Sequence, residues 1–198
     1  MAGHTEAMGA AAAATTLDVK ANASSPRSDL RLEDVYERCF DFVWRSARRM
    51  GVPEPSVDDV VQEVFVVAHR RLADFEGRST VKTWLFGILL RVVSDYRRTQ
   101  RRKGGLAPLP EVLEGDGSDC PAAAAEQRER VRLLHALLSE LDDDKRAVFV
   151  LAELEQMTAP EIADSLGVNL NTVYSRLRAA RQKFEAALKR HQAREASA

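Results

Sequence analysis

TAPEIADSLGVNLNTVYSRLRAARQKF, residues 158–184, places two short helical patterns on either side of Leu166-Gly167. Thr158 and Glu161 stand three apart, the spacing at which a hydroxyl and a carboxylate satisfy orphan N–H groups at a helix start. Pro160 is tolerated in that first turn, where its missing N–H would have had no partner. Gly167 supplies the left-handed residue that ends such a helix without a steric penalty. From Asn169 a second helix is expected to run to about residue 191. At about 100° per residue, Val173, Leu177, Ala180 and Phe184 form a stripe about 60° wide, which is the buried side. The opposite side presents Asn171, Tyr174, Ser175, Arg178 and Arg181, with Thr172 and Arg176 beside them. Amides, hydroxyls and guanidinium groups pair with base edges and phosphates in a major groove, whereas an ordinary surface helix more often mixes Glu and Lys. This stretch reads as a helix-turn-helix that binds DNA.

Upstream of it, residues 122–141 read as one helix and 142–155 as another, which completes a four-helix unit over 122–191 and leaves 192–198 as a tail. Residues 104–121 concentrate Gly, Pro and acid, the composition of a flexible linker. Before the linker, residues 28–103 hold three helical patterns. The first spans about 30–50 and stops at Gly51-Val52-Pro53. The second starts at Ser56, with Asp59 completing a capping-box-like spacing, and buries Val57, Val60, Val61, Val64 and Ala68. The third spans about 81–102, with Val81, Leu85, Ile88, Leu89, Val92 and Tyr96 on its core face. Residues 1–27 are rich in Ala, Ser and Thr with few large apolar side chains, so they read as a disordered tail. No stretch alternates in the manner of a strand. The expected class is all-α: two small helical domains joined by a flexible acidic linker.

Charge sharpens this. The 198 residues carry 29 Lys+Arg against 30 Asp+Glu, a balance that taken whole argues against nucleic acid. Located along the chain, residues 28–103 hold 15 bases and 12 acids, while the linker holds four acids (Glu111, Glu114, Asp116, Asp119) and no base. Residues 122–164 sum to minus five and 165–198 to plus five. The basic blocks end the helix at 97–103 and fill 176–194, where they serve either as solvated, dipole-stabilised helix ends or as DNA contacts.

On the third helix, Thr83, Arg91, Ser94, Arg98 and Arg101 form a basic, hydroxyl-bearing strip with Gly87 in it and Trp84 at its border. The polar loop before it contributes Phe75, Arg78 and Ser79. Arg on phosphates and rings under unstacked bases suit single-stranded or distorted nucleic acid. Trp84 reads equally as a core residue. The second helix differs: Asp58, Asp59, Gln62, Glu63 and Phe65 put acid and one ring on its solvent side. Acid repels DNA, so this is a protein-docking face or a solvated helix start favoured by the dipole.

Other classes fit less well. Asp58, Asp59 and Glu63 could suggest a nuclease, but Asp58 and Asp59 point about 100° apart and no His converges on them. His4, His69, His135 and His191 are scattered. No catalytic residue, metal site or cofactor is expected. Cys39 and Cys120 lie far apart, which leaves no disulfide framework, and Cys39 reads as a buried thiol before a redox sensor. No apolar run reaches the ~20 residues of a membrane span, and the start lacks a secretory signal, so a cytoplasmic protein without membrane insertion is expected.

Asp59-Val60-Val61-Gln62-Glu63-Val64-Phe65, Phe75-Glu76-Gly77, Thr83-Trp84-Leu85 and Asp95-Tyr96-Arg97-Arg98 resemble, in order and spacing, region two of the extracytoplasmic-function group of bacterial sigma factors. Residues 141–184, with Gly167-Val168 and residues 172–177, resemble region four of that sigma-70 family. The resemblance implies a promoter-specificity subunit of RNA polymerase. Asp58, Asp59, Gln62, Glu63 and Phe65 would dock on the clamp coiled coil of core polymerase. Phe75, Arg78, Ser79, Thr83, Trp84, Arg91, Ser94, Arg98 and Arg101 would hold the minus-10 element open as a single strand. Asn171, Thr172, Tyr174, Ser175, Arg176, Arg178 and Arg181 would read the minus-35 element while their domain leans on the polymerase flap. Such factors are often held inactive by an anti-sigma protein. Arg91, Tyr174 and Ala179 stand where many members carry Asn or a base.

An alternative is a stand-alone helix-turn-helix regulator. It predicts a dimer on a palindrome with half-sites one helical turn apart. The sigma reading predicts a monomer on two unlike elements. Elements separated by about 16 base pairs lie roughly 54 Å apart at ~3.4 Å each. An 18-residue linker extends to roughly 60 Å, so it reaches.

Overall fold

The computed structural model describes residues 30–103 and 121–196. The expected tail over 1–27 and the body of the linker lie outside the described residues. Seven α-helices carry the described chain: α1 (Leu32–Arg49), α2 (Val57–Arg71), α3 (Val81–Arg102), α4 (Pro121–Ser139), α5 (Asp143–Phe149), α6 (Ala159–Leu166) and α7 (Leu170–Glu195). The described residues contain no strand.

α1, α2 and α3 pack pairwise into a bundle. α1 places Glu33 and Asp34 in its first turn and Arg48 and Arg49 in its last, complementing the helix dipole at both ends. Its inner face is Val35, Cys39, Phe42, Val43 and Ala47, all buried. α2 contributes Val57, Val60, Val61, Val64 and Ala68, the spacing expected of one buried stripe. α3 contributes Leu85, Phe86, Ile88, Leu89 and Val93. Each Val, Leu, Ile or Phe among them contributes about 1.5–3 kcal/mol when fully buried.

The second unit is built around α7, which packs on α4, α5 and α6. Phe149 stacks on Phe184 with ring centroids 4.6 Å apart. The helix expected over 142–155 changes pitch: Val150–Leu154 form a π-helical turn in which Glu155 N–H donates to the Val150 carbonyl, five residues back, at 3.0 Å. α7 continues past His191 to Glu195, so the expected tail begins later than 192.

One expected cap does not form. Ser56 makes no side-chain bond to the start of α2. Its hydroxyl instead accepts from the Tyr96 phenol of α3 at 3.0 Å, tying the entrance of α2 to α3. The two units also meet: α3 packs on α6, and the buried apolar core runs continuously from Val35 in α1 to Ala180 in α7.

Candidate nucleic-acid and partner interfaces

The turn between α6 and α7 is set by local chemistry. Glu161 accepts from the Thr158 N–H at 2.8 Å and from its hydroxyl at 2.7 Å. Gly167 takes φ +64°, the left-handed conformation that ends α6. Asn169 caps α7 by accepting from the Thr172 N–H at 2.8 Å. Its carboxamide oxygen also accepts from the Thr172 hydroxyl at 2.9 Å, which commits that hydroxyl to the cap. Val173 and Ala180 are buried, while Asn171, Tyr174, Ser175, Arg178 and Arg181 face solvent, Tyr174 with 55% of its surface exposed. The flanking guanidinium groups are engaged: Arg176 pairs with Asp144 of α5, and Arg181 Nε donates to Glu153 at 2.8 Å. Arg178, between them, pairs with no acid among the described residues.

On α3 the structure splits the expected strip. Arg91, Ser94, Arg98 and Arg101 are exposed. Thr83 is not part of that surface: it is 1% exposed. It sits three residues into the helix, where its N–H donates to Thr80 Oγ1 at 3.1 Å and its carbonyl accepts from Ser165 of α6 at 3.0 Å. Trp84 is half-buried against Phe75, ring centroids 5.1 Å apart, so its ring is packed on one side and open to solvent on the other. Arg78 stays exposed and pairs with Glu76, and Ser79 is half-buried. Arg97, absent from the expected strip, lies beside Ser94, Arg98, Arg101 and Arg102 in an open basic groove that Asp143 closes. Its guanidinium donates to the Met50 carbonyl and pairs with Asp143.

On α2, Asp58, Asp59, Gln62 and Glu63 are exposed, but Phe65 is buried at 5%. Tyr36 of α1 covers it, with ring centroids 4.8 Å apart. The ring therefore belongs to the core, and the exposed aromatic on this side is Tyr36, at 46%. Sequence reasoning missed Tyr36; its signal was an aromatic one position past Val35, off the buried stripe of α1. The acidic ridge separates two grooves. Asp58 and Gln62 border one with Leu32, Tyr36, Phe40, Val66 and His69, whereas Asp59 and Glu63 border another with Arg71, Arg91 and Tyr96. Trp44 Nε1 donates to Asp58 at 3.2 Å and fixes the first carboxylate.

Cys39 is buried in the bundle, and desolvation raises its thiol pKa above the ordinary value, which disfavours the reactive thiolate. Cys120 lies outside the described residues. Among the described residues no group of three or more His, Cys, Asp or Glu is placed to hold a metal ion. No described helix is long and apolar enough to cross a membrane.

A three-helix unit with an acidic ridge and a basic strip, packed on a helix-turn-helix with an exposed polar face, has the architecture of a helical DNA-binding protein. The sequence matches two family models, sigma-70 region 2 over residues 35–103 and sigma-70 region 4 over residues 132–184. It is 34% identical over 151 residues to the RNA polymerase sigma factor NccH of Alcaligenes xylosoxydans, covering 75% of this chain and 81% of that one. It is 29% identical over 143 residues to the sigma-E factor of Escherichia coli, covering 68% of this chain and 74% of that one. Among solved structures, CnrH in complex with the cytosolic domain of CnrY matches with TM-score 0.59 and 31% identity, over 80% of this chain and 87% of that one. RpoE of Bartonella quintana, solved with the anti-sigma factor NepR, shares the fold at TM-score 0.66 and 19% identity, over 79% of this chain and 96% of that one. The chain belongs to the extracytoplasmic-function group of sigma-70 RNA polymerase sigma factors. It acts as an alternative sigma factor that directs RNA polymerase to promoters, and a stand-alone regulator is not favoured. Sigma factors are non-enzymatic initiation factors.

Proposed function

We propose that the chain divides its work among three surfaces, with residues 28–103 and 122–191 as the two functional domains. The α2 ridge of Asp58, Asp59, Gln62 and Glu63 docks on the polymerase clamp, with Tyr36 in place of Phe65 as its aromatic. The exposed strip of Arg91, Ser94, Arg98 and Arg101, with Trp84, Phe75, Arg78 and Ser79 at its start, binds the minus-10 element as it melts. The α7 face of Asn171, Tyr174, Ser175 and Arg178 reads the minus-35 element, flanked by Arg176 and Arg181 on phosphates, with its domain against the flap. The observation that carries this division is the segregation of exposed charge: acid on α2, base on α3, and amide, hydroxyl and guanidinium on α7.

The acidic linker would follow a basic, RNA-carrying channel of the polymerase in the cytoplasm. Since CnrH and RpoE are each solved with a protein partner, an anti-sigma protein is the expected inhibitor here, and recognition of two unlike elements rather than a palindrome makes the free factor a monomer in this reading. Run-off transcription with core polymerase on genomic fragments, with and without this protein, tests the reading. Initiation at a discrete set of sites is expected; failure to co-purify with core or to direct initiation overturns it.

A further inference from the structure

The outward side of α7 carries apolar surface that its sequence pattern does not announce. Among the described residues the large apolar side chains left exposed are Leu30, Tyr36 and Val66 in the first unit, and Leu170 and Tyr174 on α7. Leu170 is the first residue of α7 and is 40% exposed. Angle alone puts it at the edge of the buried stripe, about 20° from Leu177. It also begins an outward row: Tyr174 follows about 40° around the axis, and Arg178 about 40° beyond that. Residues at this spacing are neighbours on a helix surface, and Asn171 stands beside them.

Nothing in the start of the helix requires Leu170. Asn169 supplies the cap, accepting from the Thr172 N–H at 2.8 Å. Val168 and Val173 hold the two positions of a hydrophobic staple, and both pack in the core. The hydroxyls of this segment, meanwhile, are spent as donors. That of Thr172 donates to Asn169 at 2.9 Å, and that of Ser175 donates to the Thr172 carbonyl at 3.0 Å. A hydroxyl has one proton, so each keeps only lone pairs for a base edge. What the first turn of α7 offers outward is an amide, Asn171, beside an apolar pair, Leu170 and the Tyr174 ring.

We propose, resting on the minus-35 reading given above, that Leu170 is a specificity-determining residue that receives the C5-methyl group of a thymine, with the Tyr174 ring as the second wall of the contact. Residues at the start of a recognition helix are the ones that meet base edges in the major groove. Thymine alone presents a methyl group there, whereas the other bases present donors and acceptors. An aliphatic side chain laid on those polar atoms takes water from them and gives no hydrogen bond in return, which costs free energy. Laid on a methyl, it buries apolar surface on both sides. Asn171 carries the carboxamide that bonds adenine N6 and N7, so the start of α7 favours A·T pairs. Arg178, two turns beyond Leu170, carries the fork that suits guanine.

The test uses the polymerase holoenzyme on promoter duplexes that direct initiation, with each thymine of the minus-35 element replaced in turn by deoxyuridine. This change removes the methyl group and nothing else. Wild-type affinity should fall about fourfold at the position that Leu170 meets, the effect of withdrawing one buried methyl. Leu170→Ala should lose a similar amount on the thymine duplex, after which deoxyuridine at that position should cost nothing more. Leu170→Met, which keeps an apolar side chain, should restore most of the affinity and the sensitivity to the methyl. Wild-type indifference to deoxyuridine at every position overturns the proposal, whether or not the variants fold. So does a minus-35 element with no thymine on either strand, or a deoxyuridine penalty that persists undiminished in Leu170→Ala. If scrambling the whole element leaves affinity unchanged, the minus-35 reading itself fails; dependence on the element without dependence on its methyls sinks only the role of Leu170.

Discussion

Arg146 of α5 donates from Nη1 to the carbonyl of Met50, the residue that ends α1, at 3.2 Å and across 96 positions of sequence. The same buried guanidinium donates from Nε to Leu138 at 2.7 Å and from Nη2 to Ser139 and Leu141 at 3.1 and 3.0 Å. One cation thus closes the carbonyl ends of two helices, α1 in the first unit and α4 in the second. Helix C-termini present orphan carbonyls and partial negative charge, and a planar fork of donors suits both.

Replacing Arg146 with Met leaves these carbonyls buried without donors. The expected cost is about 3 kcal/mol of unfolding free energy, visible as a lower urea midpoint. Arg146→Lys should recover less than half of that, because a single ammonium cannot reach both helix ends with the same geometry. Equal stability of the Met variant and the wild type would mean that water replaces the guanidinium at no cost.

His135 of α4 makes the packing between α4 and α1 pH-sensitive. Burial lowers its pKa to about 4, helped by Arg48 and Arg49 of α1 and Arg146 of α5, while a hydrogen bond with the Arg48 backbone opposes this only in part. Glu155, the acid near this cluster, is engaged with Arg49. The folded pKa lies below the unfolded value of 6.5, so below pH 6.5 the unfolded chain binds the proton first. Stability from this group is therefore full above pH 6.5 and is lost as pH falls toward about 4, by on the order of 3 kcal/mol. Urea titrations at successive pH values should show that slope, and His135→Gln should flatten it.

Phe65 and Tyr36 separate packing from docking. Phe65→Ala empties a core site and should lower stability by about 3–5 kcal/mol. Tyr36→Ala truncates a half-exposed ring and should cost under about 2 kcal/mol of stability, yet weaken affinity for core polymerase about tenfold if the ring is a docking anchor. Urea denaturation of each variant beside a core-binding titration distinguishes them. The same loss of affinity per unit of lost stability in both variants would place Tyr36 with the core.

What the sequence disclosed were the features written within one helical turn. Thr158 with Glu161, and Gly167, are local devices, and each forms as its spacing implies. The buried stripes of α2 and α7 follow from periodicity in the same way. Misreadings arise where a second helix decides the outcome. Phe65 lies four residues after Val61 and eight after Val57, in the same row of α2, so the helix buries it once Tyr36 closes over that row. Ser56 gives its hydroxyl to Tyr96, forty residues away, and no local pattern encodes that choice. Thr83 sits on a polar strip by angle alone, and α6 covers it because Gly87 lets α6 approach. The seam between the units, held by Arg97, Arg146 and Ser165, consists wholly of such long-range contacts.

Arg178 and Tyr174 give the sharpest test of minus-35 reading, because both are exposed on α7 and neither is needed to hold the helix in place. Arg176 and Arg181, by contrast, are drawn toward Asp144 and Glu153, so their loss mixes folding with binding. A guanidinium that forks onto one base contributes about 1–3 kcal/mol of discrimination, roughly 5- to 150-fold in affinity. Arg178→Ala should therefore weaken binding to the cognate minus-35 duplex by that factor, relax selectivity at one base pair, and leave thermal stability unchanged. If Arg178 contacts only phosphate, binding to cognate and random duplexes should fall equally, and the slope of log affinity against log salt should become shallower by about one. Tyr174→Phe separates the ring from its hydroxyl. A ring that packs against a thymine methyl keeps its contribution in the Phe variant, and a hydroxyl that bonds a base edge loses it. Gel-shift titrations of the polymerase holoenzyme on duplexes permuted one base pair at a time read both effects on the same footing.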